Sequence, residues 1–205
     1  MFEKICSHLL IGFAKLLTGL RLIWKGCEPS AKQRIYYANH SSHADFVLIW
    51  SALPKLIREK TRPVAAGDYW SRTAIHRFMI HKMFNGVLVD RNAKKTNPLK
   101  PILEALKEGY SIIIFPEGTR NREDTLLSFK AGIYLLAKEN IDIEIVPIWL
   151  DNLKRVMPKG HFIPLPFLCT LVAGEAVTLR ENEPKEEFLN RLRDTLMELG
   201  KVKSE

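Results

Sequence analysis

Apolar and polar positions follow two different periods along most of the chain, and their alternation predicts an α/β fold. Short β-rich runs predict six strands, at Arg34–Ala38, Pro63–Gly67, Gly86–Asp90, Ser111–Phe115, Ile143–Trp149 and Leu168–Ala173. Helical spacing of apolar residues predicts helices at Ala44–Leu53, Ser71–Met83, Pro98–Glu108, Ser128–Glu139 and Pro184–Val202. Several strands are apolar throughout, as expected of strands covered on both faces. We therefore expect a single domain with a central β-sheet flanked by helices.

The first apolar segment, from Ile5 to Trp24, fits one long helix with two unlike faces. At about 100° per residue, one face collects the apolar residues Ile5, Leu9, Phe13, Leu16, Leu17, Leu20, Ile23 and Trp24. The other face collects Lys4, His8, Lys15, Arg21 and Lys25, which is too polar for a membrane span. Such a helix either lies in the headgroup layer of an anionic membrane or packs on the protein core. We accordingly divide the chain into an amphipathic helix, 1–27, and a domain, 28–205.

Composition and charge narrow the class of partner. The 205 residues are 46% hydrophobic and 26% charged, which is ordinary for a globular domain. The net charge of +8 predicts an anionic partner: a nucleic acid, an acidic lipid surface or a phosphorylated substrate. Clustered basic residues with stacking aromatics, typical of nucleic-acid binding, are not recognisable, so we expect no nucleic-acid partner. Three widely spaced cysteines argue against a disulfide framework and for a reducing compartment.

The segment from Asn39 to Asp45 pairs a histidine with an aspartate. A histidine acts as a general base most effectively when a carboxylate fixes its tautomer. Residues five apart in a helix point about 140° from each other, so His40 and Asp45 meet only if the chain turns between them. Ser42 and Asp45 resemble a capping box, which would begin a helix near His43 and leave His40 on the preceding turn. Alternatively, Asp45 only caps the helix.

His43 allows a second interpretation of the same segment, as part of a metal site with His40 and Asp45. A metal site needs ligands that converge from elsewhere in the chain. The sequence contains no H-E-x-x-H motif and no Cys/His set to complete one. We therefore predict no metal.

A second motif, Phe115-Pro116-Glu117-Gly118-Thr119-Arg120, follows an apolar strand, where α/β folds commonly bind ligands. Gly118 permits close approach of the backbone, and Arg120 can bind phosphate oxygens with two nitrogens. Lys130 follows Ser128, a predicted helix N-cap, and would add to the attraction for anions. Alternatively, Arg120 is a surface arginine paired with Glu117 or Glu123.

Two further segments complete the pattern. Gly86-Val87-Leu88-Val89-Asp90-Arg91 is a predicted strand that ends in a charged pair, for which a salt bridge is the simplest interpretation. Val146-Pro147-Ile148 interrupts an apolar strand with a residue that lacks an N–H, which indicates an edge, a bulge or a pocket wall.

These four segments, in this order, resemble the motifs of the PlsC-type glycerolipid acyltransferases, the family that includes lysophosphatidic acid acyltransferases. Asn39-His40 through Asp45 is similar to the N-H-x-x-x-x-D motif, and Phe115 to Arg120 is similar to the F-P-E-G-T-R motif. Lys130 and Gly132 fit the residues that usually follow. Leu88 stands where the family often has an aromatic residue. The resemblance covers roughly residues 34–150.

The resemblance implies acyl transfer from a thioester of coenzyme A or acyl carrier protein to the sn-2 hydroxyl of 1-acylglycerol 3-phosphate, giving phosphatidic acid. It implies no cofactor beyond the thioester co-substrate. We expect His40 and Asp45 to be catalytic. The expected substrate-binding residues are Arg91, Glu117, Gly118, Thr119, Arg120 and Lys130.

We expect Glu117 to fix its loop or to contact the glycerol hydroxyls, and the cations to hold the phosphate. The resemblance also implies membrane association of the N-terminal region, at the cytoplasmic face as a peripheral or monotopic protein. Acylation of another lysophospholipid or of a lyso-aminolipid, and a non-catalytic membrane-binding protein, remain as alternatives.

Overall fold

Seven strands form the central sheet in a computed structural model of the chain, in the order β1-β7-β6-β2-β5-β3-β4. The structure describes residues 2–42, 45–90, 97–121, 123, 125–151 and 169–201. The strands are β1 (Arg21–Trp24), β2 (Arg34–Ala38), β3 (Thr61–Ala66), β4 (Val87–Val89), β5 (Ser111–Ile114), β6 (Glu144–Leu150) and β7 (Thr170–Ala173). Helices cover both faces, so the predicted α/β fold is confirmed.

The helices are α1 (Phe2–Thr18), α2 (Asp45–Ala52), α3 (Lys55–Arg58), α4 (Gly67–Trp70), α5 (Ala74–Phe78), α6 (Lys100–Lys107), α7 (Gly132–Glu139) and α8 (Lys185–Lys201). A π-helical turn, Met79–Met83, continues α5, so the predicted helix from Ser71 is shorter at its start and changes type. The predicted N-cap at Ser128 is wrong, because Ala131 precedes the first residue of α7. The cause is a backbone hydrogen bond from Lys130 to the Pro116 carbonyl, 2.8 Å long, which holds this segment against the loop after β5.

The pairing directions decide where the strand ends meet. β2 pairs in parallel with β5 and β6, and β3 pairs in parallel with β5 and β4. Their carboxyl ends therefore lie along one edge of the sheet. Asn39 follows β2 at that edge, Gly67 follows β3 and Phe115 follows β5.

The two faces of the sheet bury different core clusters. Along β2, Tyr36 and Ala38 pack on one side, whereas Ile35 and Tyr37 pack on the other. The first cluster includes residues of α1, α2 and the π-helical turn, and the second includes residues of α6, α7 and α8. Every residue of β2 is buried, which confirms the expectation of a sheet covered on both faces.

The N-terminal segment contains a helix followed by a strand. The prediction of one helix to Trp24 is wrong, because α1 ends at Thr18 and residues 21–24 pair in parallel with β7. Gly19 has a φ of 52°, the left-handed conformation in which glycine commonly ends helices. Leu22 and Trp24 then pack against the core as strand residues.

Helix α1 is buried along one side and exposed along the other. It packs against α2 and the π-helical turn, where Ile11 and Ala14 are buried. On the outside, four large apolar residues are exposed: Ile5 (53%), Leu9 (68%), Phe13 (58%) and Leu16 (88%). In the part of the chain that is described, no helix combines the length and apolar character that crossing a membrane requires.

Candidate active site

His40 and Asp45 meet at the carboxyl edge of the sheet. His40 lies two residues beyond β2, and Asp45 is the first residue of α2. The chain turns between them, as the spacing requires, and His40 Nδ1 lies 2.8 Å from Asp45 Oδ2. The Asp45 side chain is fully buried, while 17% of the His40 side chain is exposed. The pair therefore has an inner carboxylate and an outer ring that solutes can reach.

Asp45 also organises the turn that separates it from His40. Its Oδ2 accepts hydrogen bonds from the backbone N–H of Ser41 (2.6 Å) and of Ser42 (2.9 Å). Its other oxygen, Oδ1, is buried without a hydrogen-bond partner among the described residues. The same oxygen atom thus contacts the His40 ring and accepts the N–H groups of the turn, so the two interpretations of Asp45 are compatible.

The backbone of His40 is held on both sides by the loop that follows β5. Glu117 Oε1 accepts the His40 N–H at 3.0 Å, and the Asn121 N–H donates to the His40 carbonyl at 2.6 Å. The imidazole stacks on Phe115, with centroids 4.2 Å apart and planes 20° from parallel. The two motifs that the sequence separates by many residues therefore form one rigid unit.

Glu117 is a buried carboxylate, 1% exposed. Its second oxygen, Oε2, accepts the backbone N–H of Leu127 at 3.0 Å. Both oxygens are thus bonded to main-chain donors of the protein. This geometry favours the expectation that Glu117 fixes the loop over the expectation that it contacts glycerol hydroxyls.

Gly118 and Lys130 lie against each other. Gly118 has a φ of 71°, which side chains rarely adopt, and a Cβ there would lie 3.2 Å from Lys130 Cγ. A side chain at this position would therefore strain the backbone and displace the lysine. Gly118, Thr119, Arg120 and Lys130 are all exposed, so they are accessible to solutes.

Two cavities meet at His40 and Phe115. The smaller, of about 290 Å³, is lined by Thr119 and Arg120 together with Asp68, Tyr69, Trp70 and Arg72. The larger, of about 570 Å³, is mostly apolar, and Gly118 and Lys130 are at its wall with Leu99, Ile102, Ile133 and Leu135. Arg120 and Lys130, which the sequence predicts as joint phosphate ligands, therefore line different cavities.

Two of the residues singled out from the sequence cannot be placed in the site, and two residues of the site were not predicted. Arg91 and His43 lie outside the described residues. Among the residues that are described, no group of three or more His, Cys, Asp or Glu side chains is arranged to hold a metal ion. Sequence reasoning missed Asn121 and Arg72. Asn121 directly follows the second motif, which was the available signal, whereas nothing local marks Arg72.

The cysteines are free thiols. Burial raises the pKa of Cys169 to about 11, because a thiolate is poorly solvated in the core. Cys169 is therefore a protonated thiol at neutral pH and a poor nucleophile.

A mostly parallel sheet with a buried aspartate, a histidine and cationic residues at its carboxyl edge is the arrangement of an α/β protein whose site could perform group transfer. An acyltransferase family model matches residues 25–151, which is more than half of the chain. The chain belongs to this acyltransferase family, and the resemblance to the PlsC-type members is confirmed.

Relatives with assigned names agree with this placement. The chain is 28% identical over 175 residues to the 1-acyl-sn-glycerol-3-phosphate acyltransferase of Limnanthes douglasii, covering 82% of this chain and 58% of that protein. It is 27% identical over 160 residues to the mouse 1-acyl-sn-glycerol-3-phosphate acyltransferase alpha, covering 74% and 53%. The chain thus spans little more than half the length of these relatives.

The fold has a counterpart among solved structures. The crystal structure of PlsC, the 1-acyl-sn-glycerophosphate acyltransferase from Thermotoga maritima, superposes with a TM-score of 0.75 at 23% identity. The match covers 99% of this chain and 82% of that one. The two chains therefore share a fold.

Proposed function

We propose that this protein transfers a fatty acyl group from an acyl thioester to the sn-2 hydroxyl of 1-acylglycerol 3-phosphate, giving phosphatidic acid. The observation that carries the proposal is the His40–Asp45 contact of 2.8 Å at the junction of two cavities. One cavity contains cations and suits a phosphate headgroup, and the other is apolar and suits an acyl chain. The names of the relatives support the same acceptor.

His40 is the general base of the proposed reaction. Its Nδ1–H donates to Asp45 Oδ2, which leaves Nε2 unprotonated. Nε2 takes the proton of the acceptor hydroxyl while that oxygen forms a bond to the thioester carbonyl carbon. The tetrahedral intermediate then expels the thiolate, and the imidazolium returns the proton to sulfur. A thiolate is a good leaving group, so no acyl-enzyme forms and Cys169 has no covalent role.

The two cavities hold the two substrates on either side of this base. Arg120 binds the acceptor phosphate in the smaller cavity, beside Thr119. The acyl chain of the donor lies along the apolar wall of the larger cavity, where Lys130 is available to a polar group of coenzyme A or acyl carrier protein. Arg91, at the end of the segment Gly86 to Arg91, contributes a further cation. No cofactor takes part beyond the thioester.

The protein acts at the cytoplasmic face of a membrane. The four exposed apolar residues of α1 insert into the lipid layer, which keeps a bilayer-embedded acceptor within reach of the site. The free thiols fit a reducing compartment. Helix α1 thus has two apolar sides: one is buried against the core, and the other is exposed and inserts into the lipid.

The test is an assay of purified protein in mixed micelles, with a matrix of donors and acceptors. Acyl-coenzyme A and acyl carrier protein thioesters are paired with lysophosphatidic acid, other lysophospholipids, a lyso-aminolipid and glycerol 3-phosphate. Free thiol is measured by a chromogenic disulfide, and the lipid product by mass spectrometry. We expect equimolar thiol and phosphatidic acid. Thioester consumption without a lipid product, or none at all, would refute the proposal.

A pair of histidine variants isolates the base. His40→Ala should lower kcat at least ~10²-fold, as loss of a general base does. His81→Ala removes an exposed histidine outside both cavities and should keep wild-type turnover. If the enzyme instead preferred a lyso-aminolipid to lysophosphatidic acid, this would indicate that Asp68, in the smaller cavity, binds an ammonium group.

A further inference from the structure

The cavity that contains Arg120 has a second arginine, Arg72, which no sequence motif marks. Arg72 comes from the segment between α4 and α5, and it reaches a cavity that His40, Phe115 and Arg120 also line. Lys130 lines the other cavity. Among the described residues, an anion seated beside Arg120 therefore has Arg72, and not Lys130, as a second cation in its own cavity.

Among the described residues, the protein holds the guanidinium of Arg72 at one nitrogen only. Its Nε donates to the Asp68 carbonyl at 3.0 Å, and its Cζ lies 5.7 Å from the centroid of the Tyr69 ring. Neither terminal nitrogen donates to a protein atom among the described residues. A guanidinium fixed through Nε and the ring, with terminal N–H groups available, is suited to bind two oxygens of one phosphate.

The charges of the cavity discriminate between kinds of phosphate. Arg72 and Arg120 contribute positive charge, and the Asp68 carboxylate opposes them. The balance is positive before the substrate enters. A phosphomonoester carries about −1.5 to −2 at neutral pH, whereas a phosphodiester carries a single negative charge, so the monoester gains more from a second cation.

We propose that Arg72 binds the acceptor phosphate together with Arg120 and makes the site prefer a lysophospholipid with a terminal phosphomonoester. The proposal rests on the proposed function. It adds a specificity-determining residue to it, with a stated ligand group.

The test compares Arg72→Ala, Arg72→Lys and Arg77→Ala in the mixed-micelle assay. Arg77 is exposed, lies on α5, bonds to the Ser71 carbonyl and lines neither cavity, so its removal makes the same change in net charge near the site. KM and kcat are measured for lysophosphatidic acid and for lysophosphatidylethanolamine, a phosphodiester. Thermal unfolding is followed for each variant.

For Arg72→Ala we expect the KM for lysophosphatidic acid to rise about tenfold or more, because a charge-assisted pair of hydrogen bonds is lost. The KM for lysophosphatidylethanolamine should change less, and the KM for the thioester should not change. Arg72→Lys should lie between wild type and Arg72→Ala, since it keeps the charge and loses the two-nitrogen geometry. This variant also serves if Arg72→Ala fails to fold.

Two results would overturn the inference, and they differ from failure of the proposed function. The first is a KM for lysophosphatidic acid in both Arg72 variants within about twofold of that of Arg77→Ala. The second is an equal rise for the monoester and the diester. Wild-type protein that transfers no acyl group to any lysophospholipid would instead refute the proposed function, and the inference with it.

Discussion

Replacing Glu117 tests whether it holds the active site together or binds the substrate. The side chain is 1% exposed, and its two oxygens accept the N–H groups of His40 and Leu127, each at 3.0 Å. A buried amide without an acceptor costs about 1–3 kcal/mol. Glu117→Gln keeps one acceptor oxygen and should lose about this much, while Glu117→Ala strands both amides and should lose about 2–6 kcal/mol. A domain has only about 5–15 kcal/mol of stability, so the alanine variant approaches unfolding.

The hydrogen bond from the His40 N–H to Glu117 also predicts a change in kcat. Within the part of the chain that is described, two groups hold the backbone of His40: the Glu117 carboxylate and the N–H of Asn121. A displacement of a reacting group by about 1 Å costs roughly 10²-fold in rate. For Glu117→Gln we therefore expect kcat to fall by about this factor, with the acceptor KM within about threefold of wild type.

Urea denaturation and initial-rate kinetics on the same preparations check both expectations. Glu183→Gln is the matched control, because Glu183 is also buried and binds Arg191 Nε at 2.7 Å, but it lines neither cavity. It should lower stability and leave kcat unchanged. The reasoning is refuted if Glu117→Gln is as stable as wild type and raises the acceptor KM, the result expected of a ligand for glycerol hydroxyls.

Three further predictions concern separate parts of the molecule. Asp45→Asn should lower kcat at least ~10²-fold with little change in KM, and wild-type initial rates would contradict its role in orienting the base. Leu9→Glu should abolish flotation with anionic liposomes, and the melting temperature should not change because Leu9 is 68% exposed. Ile141→Glu is the control, since Ile141 is 64% exposed and lies on a turn away from α1. Equal flotation of the two variants would argue against docking through α1. The Arg191 hydrogen bond holds the pKa of Glu183 below its usual value, so this carboxylate stabilises the protein above its unfolded-state pKa and loses that contribution as pH falls through the folded-state pKa. Urea midpoints taken from neutral pH down to about pH 3 should thus fall further in wild type than in Glu183→Gln, and parallel curves would disprove the linkage.

Local pattern was sufficient to predict most of the sheet. Arg34–Ala38 was predicted with the bounds that β2 has, because Ile35 to Ala38 form an apolar run after Arg34, as in a strand that is buried on both faces. The turn between His40 and Asp45 also followed from sequence, since helix geometry forbids their contact in any other way. These features depend on neighbours within a few residues.

Features that depend on distant partners were not predictable in this way. β1 has apolar residues that fit a helical wheel, and only its pairing with β7 makes it a strand. The N-cap assigned to Ser128 failed because Lys130 bonds to the Pro116 carbonyl, far away in sequence. Arg72 enters the Arg120 cavity because of how α4 and α5 are placed, which no local pattern encodes.

The short connection between α1 and β1 has a mechanical consequence. Gly19 and Leu20 alone separate the last residue of α1 from the first residue of β1, and β1 is hydrogen-bonded into the sheet. If α1 docks on lipid, so short a connection prevents it from rotating relative to the sheet. The edge of the sheet with the proposed active site would then be held at a fixed height and tilt above the lipid surface.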